Sequence, residues 1–156
     1  MNLQSINTQS RGEPSPATIL QSFDHFGGIG VRAPLRVFLV EDSPEVRDLL
    51  LDYLHVTGEV EIVGYADTED EAVAAVIADP VDAVIVDLKL RAGNGMAVLQ
   101  RLRAAKQTPA PTLIVFTNHP LPAIRERAMK FGANYFFDKS IDYEKVRSTL
   151  QTLHAN

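Results

Sequence analysis

The sequence predicts an α/β fold with a doubly wound parallel sheet, on three observations. From Leu35 onward, five short aliphatic segments alternate with five amphipathic ones, the pattern of repeated strand–helix units. Two of the aliphatic segments, DAVIVD and TLIVFT, are almost unbroken runs of β-branched and aliphatic residues, as strands covered on both faces require. Four of the five segments end on a polar group, drawn from Glu41, Asp42, Asp87, Thr117 and Lys139. In an open parallel sheet ligands bind outside the carboxyl ends of the strands, so these five groups are expected to meet in one pocket.

The strands are expected at 35–40, 60–66, 82–87, 112–117 and 134–138, joined by right-handed crossovers. The first helix has Ser43 as N-cap and Pro44 at its first position, and turns Val46, Leu49, Leu50, Tyr53 and Leu54 to one face. Thr68 and Glu71 have capping-box spacing at the start of the second, which buries Ala72, Val73, Val76 and Ile77. The third carries Met96, Leu99 and Leu102. The fourth starts near Pro122, carries Ile124, Ala128 and Phe131, and stops at Gly132. The fifth is expected to be capped by Asp142 and carries Val146, Thr149, Leu150 and Leu153.

Residues 1–34 are different in kind. Ser, Gln, Asn, Thr, Gly and Pro dominate them, which predicts a disordered extension, with a short docking helix over 17–26 (Ile19, Leu20, Phe23) as the alternative. GGIG at 27–30 has no strand before it and is no dinucleotide loop. The remainder, 35–156, is expected to be one domain, and the 156-residue chain leaves no space for a second after the fifth helix. It contains no cysteine, which excludes disulfides and thiolate metal sites and fits a reducing cytoplasm. No segment resembles a signal peptide or a membrane span. The net charge of −5 and the lack of a Lys/Arg cluster argue against direct DNA binding. His25, His55 and His154 show no metal spacing.

Glu41 and Asp42 follow the first strand, and Asp87 ends the third. Crowded carboxylates repel, and each raises the pKa of its neighbours. A hard divalent cation relieves that, and Mg²⁺ takes one or two carboxylates together with phosphate oxygens. Any one of these acids is equally well read as a helix cap, but three at strand ends are not. Asp87 is then a candidate nucleophile toward phosphorus. Lys139 supplies a point charge and Thr117 a hydroxyl for the phosphoryl oxygens, whose charge is what such a site has to stabilise.

FLVEDS, IVDLKLRAGNG, IVFTN and GANYFFDKS together resemble the receiver domain of two-component response regulators, from about Leu35 to Leu153. The most specific single feature is Asp87 with Gly95 eight residues on. The resemblance implies a flavodoxin-like (βα)₅ fold with strand order 2-1-3-4-5. It implies that Asp87 accepts a phosphoryl group from a sensor histidine kinase or histidine phosphotransfer protein. Glu41, Asp42, Asp87 and the backbone carbonyl of Lys89 would hold Mg²⁺, Thr117 and Lys139 would sense the phosphoryl group, and Phe136 would be the switch aromatic. Lys89 and His119, each two residues past a site residue, are placed to tune dephosphorylation by screening the attacking water.

Four positions depart from the family pattern. Arg91 replaces a common proline, which predicts a freer loop. Asn118 stands where a smaller residue is common and would narrow access to Asp87. Ser140 replaces a proline after Lys139; a non-proline cis bond costs about 3–4 kcal/mol, so a trans peptide is expected. Phe136 lacks the hydroxyl of the usual tyrosine. None of these removes the chemistry.

The leading expectation is a stand-alone cytoplasmic receiver that signals to a downstream protein by altered contacts, with Arg125, Arg127, Lys130 and Phe137 as candidates on the output face. It is no enzyme beyond self-phosphorylation and slow autodephosphorylation. The alternative is a receiver-like scaffold that binds a partner without phosphorylation. An aspartyl-phosphate hydrolase would need a second acid where Lys89 stands.

Overall fold

In the computed structural model, residues 30–156 are described; the expectations for residues 1–29 of the extension, the helix at 17–26 and His25 lie outside them. Residues 30–34 form no helix or strand, and the Arg32 guanidinium donates to the His154 carbonyl at 2.6 Å. Five strands, β1 (Leu35–Val40), β2 (Val60–Ala66), β3 (Ala83–Val86), β4 (Thr112–Thr117) and β5 (Tyr135–Asp138), alternate with five helices. The helices are α1 (Pro44–Leu54), α2 (Glu69–Ala78), α3 (Gly95–Ala104), α4 (Pro122–Lys130) and α5 (Tyr143–Ala155). The strands pair in parallel in the order β2-β1-β3-β4-β5, the flavodoxin-like order expected of the sequence.

Side chains alternate across each strand, so the sheet feeds two cores. On one face Val37, Leu39, Ile85, Ile114 and Phe116 pack under α1 (Leu50, Leu54) and α5 (Val146, Leu150). On the other, Val40, Val84, Val86, Leu113, Val115 and Phe136 pack under α2, α3 and α4. This two-sided burial is why the central strands read as unbroken apolar runs.

The helix starts follow the sequence with two exceptions. The Ser43 hydroxyl accepts from Val46 N at 3.3 Å and the Asn94 side chain from Ala97 N at 2.9 Å. Thr68 accepts from Glu71 N at 3.4 Å, which is one half of a capping box. Asp142 occupies the N-cap position of α5 but makes no capping bond. Its carboxylate turns back instead, accepting from Asp138 N at 3.0 Å and pairing with Lys145 at 2.9 Å. Gly132, at φ 107°, ends α4 in a conformation that other residues adopt only with strain.

Two expected core residues are on the surface. Leu49 is 52% exposed and Ile77 46%. Each is next in sequence to a fully buried residue (Leu50, Val76), which turns it about 100° round the helix, past the edge of the buried stripe. Among the described residues no helix is long and apolar enough to cross a membrane.

Candidate functional site

The sheet's own ladder sets the site at the carboxyl ends of the strands. Glu41 N donates to Ala66 O at 3.0 Å, Asp87 N to Val40 O at 2.9 Å and Lys139 N to Thr117 O at 3.0 Å, so each polar residue leaves the sheet at a fixed height. Strand alternation then sorts the side chains. Glu41, Asp87 and Lys139 continue the rows of Leu39, Ile85 and Phe137, toward α1 and α5. Thr117 continues the row of Leu113 and Val115, toward the opposite core that holds Phe136.

The consequence corrects the expectation of one five-membered pocket. Glu41, Asp42, Asp87 and Lys139 line a cleft of about 330 Å³ with Ser43, Lys89, Asn118 and His119. Thr117 is fully buried beside it, with its hydroxyl accepting from His119 N at 3.2 Å. Asn118 is exposed on the cleft wall. Phe136 is buried with the Arg125 guanidinium carbon 5.9 Å from its ring centre.

Lys139 is the electrostatic centre of the cleft. Its ammonium donates to Glu41 Oε2 and, at 2.9 Å, to Asp87 Oδ2. All three side chains are buried, with 6%, 4% and 10% exposure for Lys139, Glu41 and Asp87. Burial pushes the Glu41 carboxyl above its ordinary range, and Lys139 only partly offsets the loss of water. For Lys139 burial pulls the other way, but its bonds to Glu41 and Asp87 outweigh it and leave the ammonium more basic than usual. Ser43 N donates to Glu41 Oε1 at 3.1 Å, and Lys89 N to Asp87 Oδ1 at 3.4 Å. The Lys139–Ser140 peptide is trans, as expected, and Lys139 still reaches both acids.

Carboxylate oxygens of Glu41, Asp42 and Asp87 lie within 4.8 Å of one another. Three hard anionic oxygens with one ammonium between them leave uncompensated negative charge, and the donor set suits Mg²⁺ rather than a soft metal.

Sequence reasoning missed the hold on the loop after Asp87. Arg91 is no source of freedom there. Its guanidinium meets Asp67 at the end of β2 through two bonds, of 3.1 and 3.3 Å. Ala92 bridges to Thr68 and accepts from Glu69 N at 3.0 Å, and Asn94 N donates to Glu69 at 3.2 Å. An arginine and backbone bonds supply the restraint that a proline ring would give. Arg47 was missed as well: it donates to the Glu41 carbonyl at 3.0 Å, and only its position in the first turn of α1 hints at this. Gly95 earns its place by contact, since a Cβ there would lie 2.2 Å from the Asp87 carbonyl oxygen.

Comparison with known proteins agrees with this geometry. The model of the response regulator receiver domain matches residues 37–151. A protein-glutamate methylesterase/protein-glutamine glutaminase from Syntrophus aciditrophicus is 33% identical over 128 residues, 78% of this chain; the chain spans only 36% of that relative's length. Among solved structures, the receiver domain of the NarL response regulator of Mycobacterium tuberculosis has a TM-score of 0.72 at 22% identity, covering 80% of this chain and 98% of that one. A receiver domain of a Pseudomonas aeruginosa sensor histidine kinase, solved with magnesium in its active site cleft, has a TM-score of 0.67 at 22% identity, covering 80% and 100%. At these identities the structures speak for the fold, and the family match speaks for descent: the chain belongs to the response regulator receiver domain family.

Proposed function

We propose that this receiver takes a phosphoryl group onto Asp87 from a phosphohistidine of a sensor kinase or phosphotransfer protein and signals through the contacts of its own surface. The observation that carries the reading is Lys139, buried and bonded to both Glu41 and Asp87 beside Asp42. An Asp87 carboxylate oxygen attacks phosphorus. The new O–P bond forms as the N–P bond breaks, and the electron pair leaves with the imidazole of the donor. The Lys139 ammonium, already on Asp87 Oδ2, stabilises the charge brought by the phosphoryl oxygens. Glu41, Asp42, Asp87 and the Lys89 carbonyl would hold Mg²⁺, which supplies further neutralisation of that charge.

Thr117 accepts from His119 N, which leaves its hydroxyl proton free, and it would turn from its buried position beside the cleft to meet a phosphoryl oxygen. It shares a sheet face with Phe136, so a change at Thr117 would act on the core that holds that ring. Lys89 and His119 line the cleft and govern the approach of water to the acyl phosphate. Receipt of the signal without turnover fits the absence of a second acid at position 89.

An acidic chain, at −5, supports output from the receiver at 35–156 through protein contacts rather than nucleic acid. A cytoplasmic location belongs to the same proposal, and a chain without cysteine fits it. The test is incubation with acetyl phosphate, or beryllofluoride, and Mg²⁺. The wild type is expected to gain one phosphoryl group by intact mass and to show amide shifts around Asp87. Asp87→Asn is expected to show neither. A wild-type spectrum unchanged by beryllofluoride and Mg²⁺ refutes the proposal.

A further inference from the structure

A second cleft, of about 470 Å³, lies between the β3–α3 loop and α4, next to the acidic one. Leu88, Leu90, Met96 and Ile124 give it an apolar floor. Its charged and titratable lining is Lys89, His119 and Arg127, with no acid. That composition runs against the chain, whose acids outnumber Lys and Arg by 20 to 15. Among the described residues neither Lys89 nor Arg127 makes a salt bridge. Arg127 only rests over the Phe131 ring, 5.3 Å from its centre. Leu121, at the N-cap of α4, adds a large exposed apolar side chain near the start of the same helix.

We propose that this cleft docks an acidic, leucine-type amphipathic segment of a partner protein. Aliphatic anchors would fill the floor, and Asp or Glu on their flanks would meet Lys89 and Arg127. An apolar floor supplies most of the affinity, and unpaired cations at a rim select the sign of the partner and speed its approach. Lys89 and His119 line both clefts, so a docked segment sits against the mouth through which water reaches Asp87. That coupling rests on the phosphoacceptor reading; the docking itself does not.

The test is amide NMR of the full ¹⁵N-labelled chain with three synthetic helical peptides: leucines flanked by glutamates, the same leucines flanked by lysines, and the glutamate peptide with serine for leucine. The glutamate–leucine peptide is expected to shift Leu88–Met96, His119, Ile124 and Arg127, and the other two to bind at least about tenfold more weakly. Lys89→Glu with Arg127→Glu, both exposed positions, is expected to weaken binding by about tenfold or more. Raising salt from about 50 to about 300 mM is expected to weaken it several-fold. Asp87→Asn is expected to bind the peptide as the wild type does while failing to accept phosphate, which separates the two readings. Equal binding of the lysine peptide, shifts confined to β5 and α5, loss of binding in Asp87→Asn, or no shifts at millimolar peptide each overturn the proposal.

Discussion

Replacing Lys139 by methionine keeps much of the side chain's volume and removes its charge. An exposed ion pair is worth about 0–1 kcal/mol, but these three side chains are 4–10% exposed. Removing one partner of a buried pair leaves the other's charge without compensation and costs about 3–5 kcal/mol. Against about 5–15 kcal/mol for a whole domain, Lys139→Met is expected to be folded but marginal when urea unfolding is followed in EDTA at neutral pH. Two controls isolate the charge. Adding Glu41→Gln is expected to recover a large part of the loss, giving a coupling energy well above the few tenths found for independent sites. Mg²⁺ at about a hundredfold excess over its Kd adds about 2.7 kcal/mol to a protein that binds it only when folded, and the variant is expected to gain more than the wild type, in which Lys139 competes for Glu41. The pH dependence has a fixed sign. Burial raises the folded Glu41 carboxyl, and without Lys139 it rises further; such a group favours folding below its unfolded value and loses that as pH rises through its folded value. The deficit of Lys139→Met is therefore greatest at neutral pH and shrinks toward about pH 4. A variant within about 1 kcal/mol of wild type in EDTA at neutral pH would show that Lys139 does not hold these acids, and the electrostatic account of the site would fail.

Three other outcomes are expected. Gly95→Ala drives a methyl into the Asp87 carbonyl oxygen and the Leu88 Cα, backbone atoms that cannot step aside, so it should lose about 1–3 kcal/mol in thermal unfolding and slow labelling by acetyl phosphate. Arg91→Ala removes a pair in which the arginine is 62% exposed; it should cost under about 1 kcal/mol in urea unfolding, because the Ala92 and Asn94 bonds remain, while amides of the β3–α3 loop exchange faster. Asp142 is held below the usual carboxylate range by Asp138 N and then by Lys145, so the advantage of wild type over Asp142→Asn should be full at neutral pH and disappear as pH falls through the lowered folded value, as urea midpoints across acid pH would show.

Strand positions were legible because burial on both faces leaves a continuous apolar run, and the strand-end acids because nothing apolar could replace them there. What the sequence hid is orientation. Leu49 and Ile77 are apolar, and one position along a helix decides whether such a residue meets the sheet or water. Thr117 was read into the same pocket as Asp87, and alternation along β4 turns it to the opposite face, where Phe136 lies. Arg91 looked like lost stiffness because its partner, Asp67, follows a strand two places away in the sheet. Asp142 looked like a cap because local spacing cannot show that Asp138 N is a nearer donor.

The charge arithmetic of the cleft joins stability to signalling. Three carboxylates against the Lys139 ammonium that bonds two of them leave two net negative charges when all are ionised, only one of which the exposed Lys89 on the cleft wall offsets. One member, Glu41, is already disfavoured as an anion by burial. A phosphoryl group on Asp87 replaces one negative charge by about two, which a site so crowded cannot hold with Lys139 alone. On the proposed function a divalent cation would do more than assist transfer: it would make the phosphorylated state tolerable to the fold. Lys139 must then divide its bonds between Glu41 and the phosphoryl oxygens, and any shift toward the latter frees the Glu41 Oε2 oxygen that it now occupies. Metal affinity and phosphorylation should thus be linked through this one side chain, so that Lys139→Met uncouples them: the variant binds Mg²⁺ at least as tightly as wild type, yet gains less affinity for it when beryllofluoride is added.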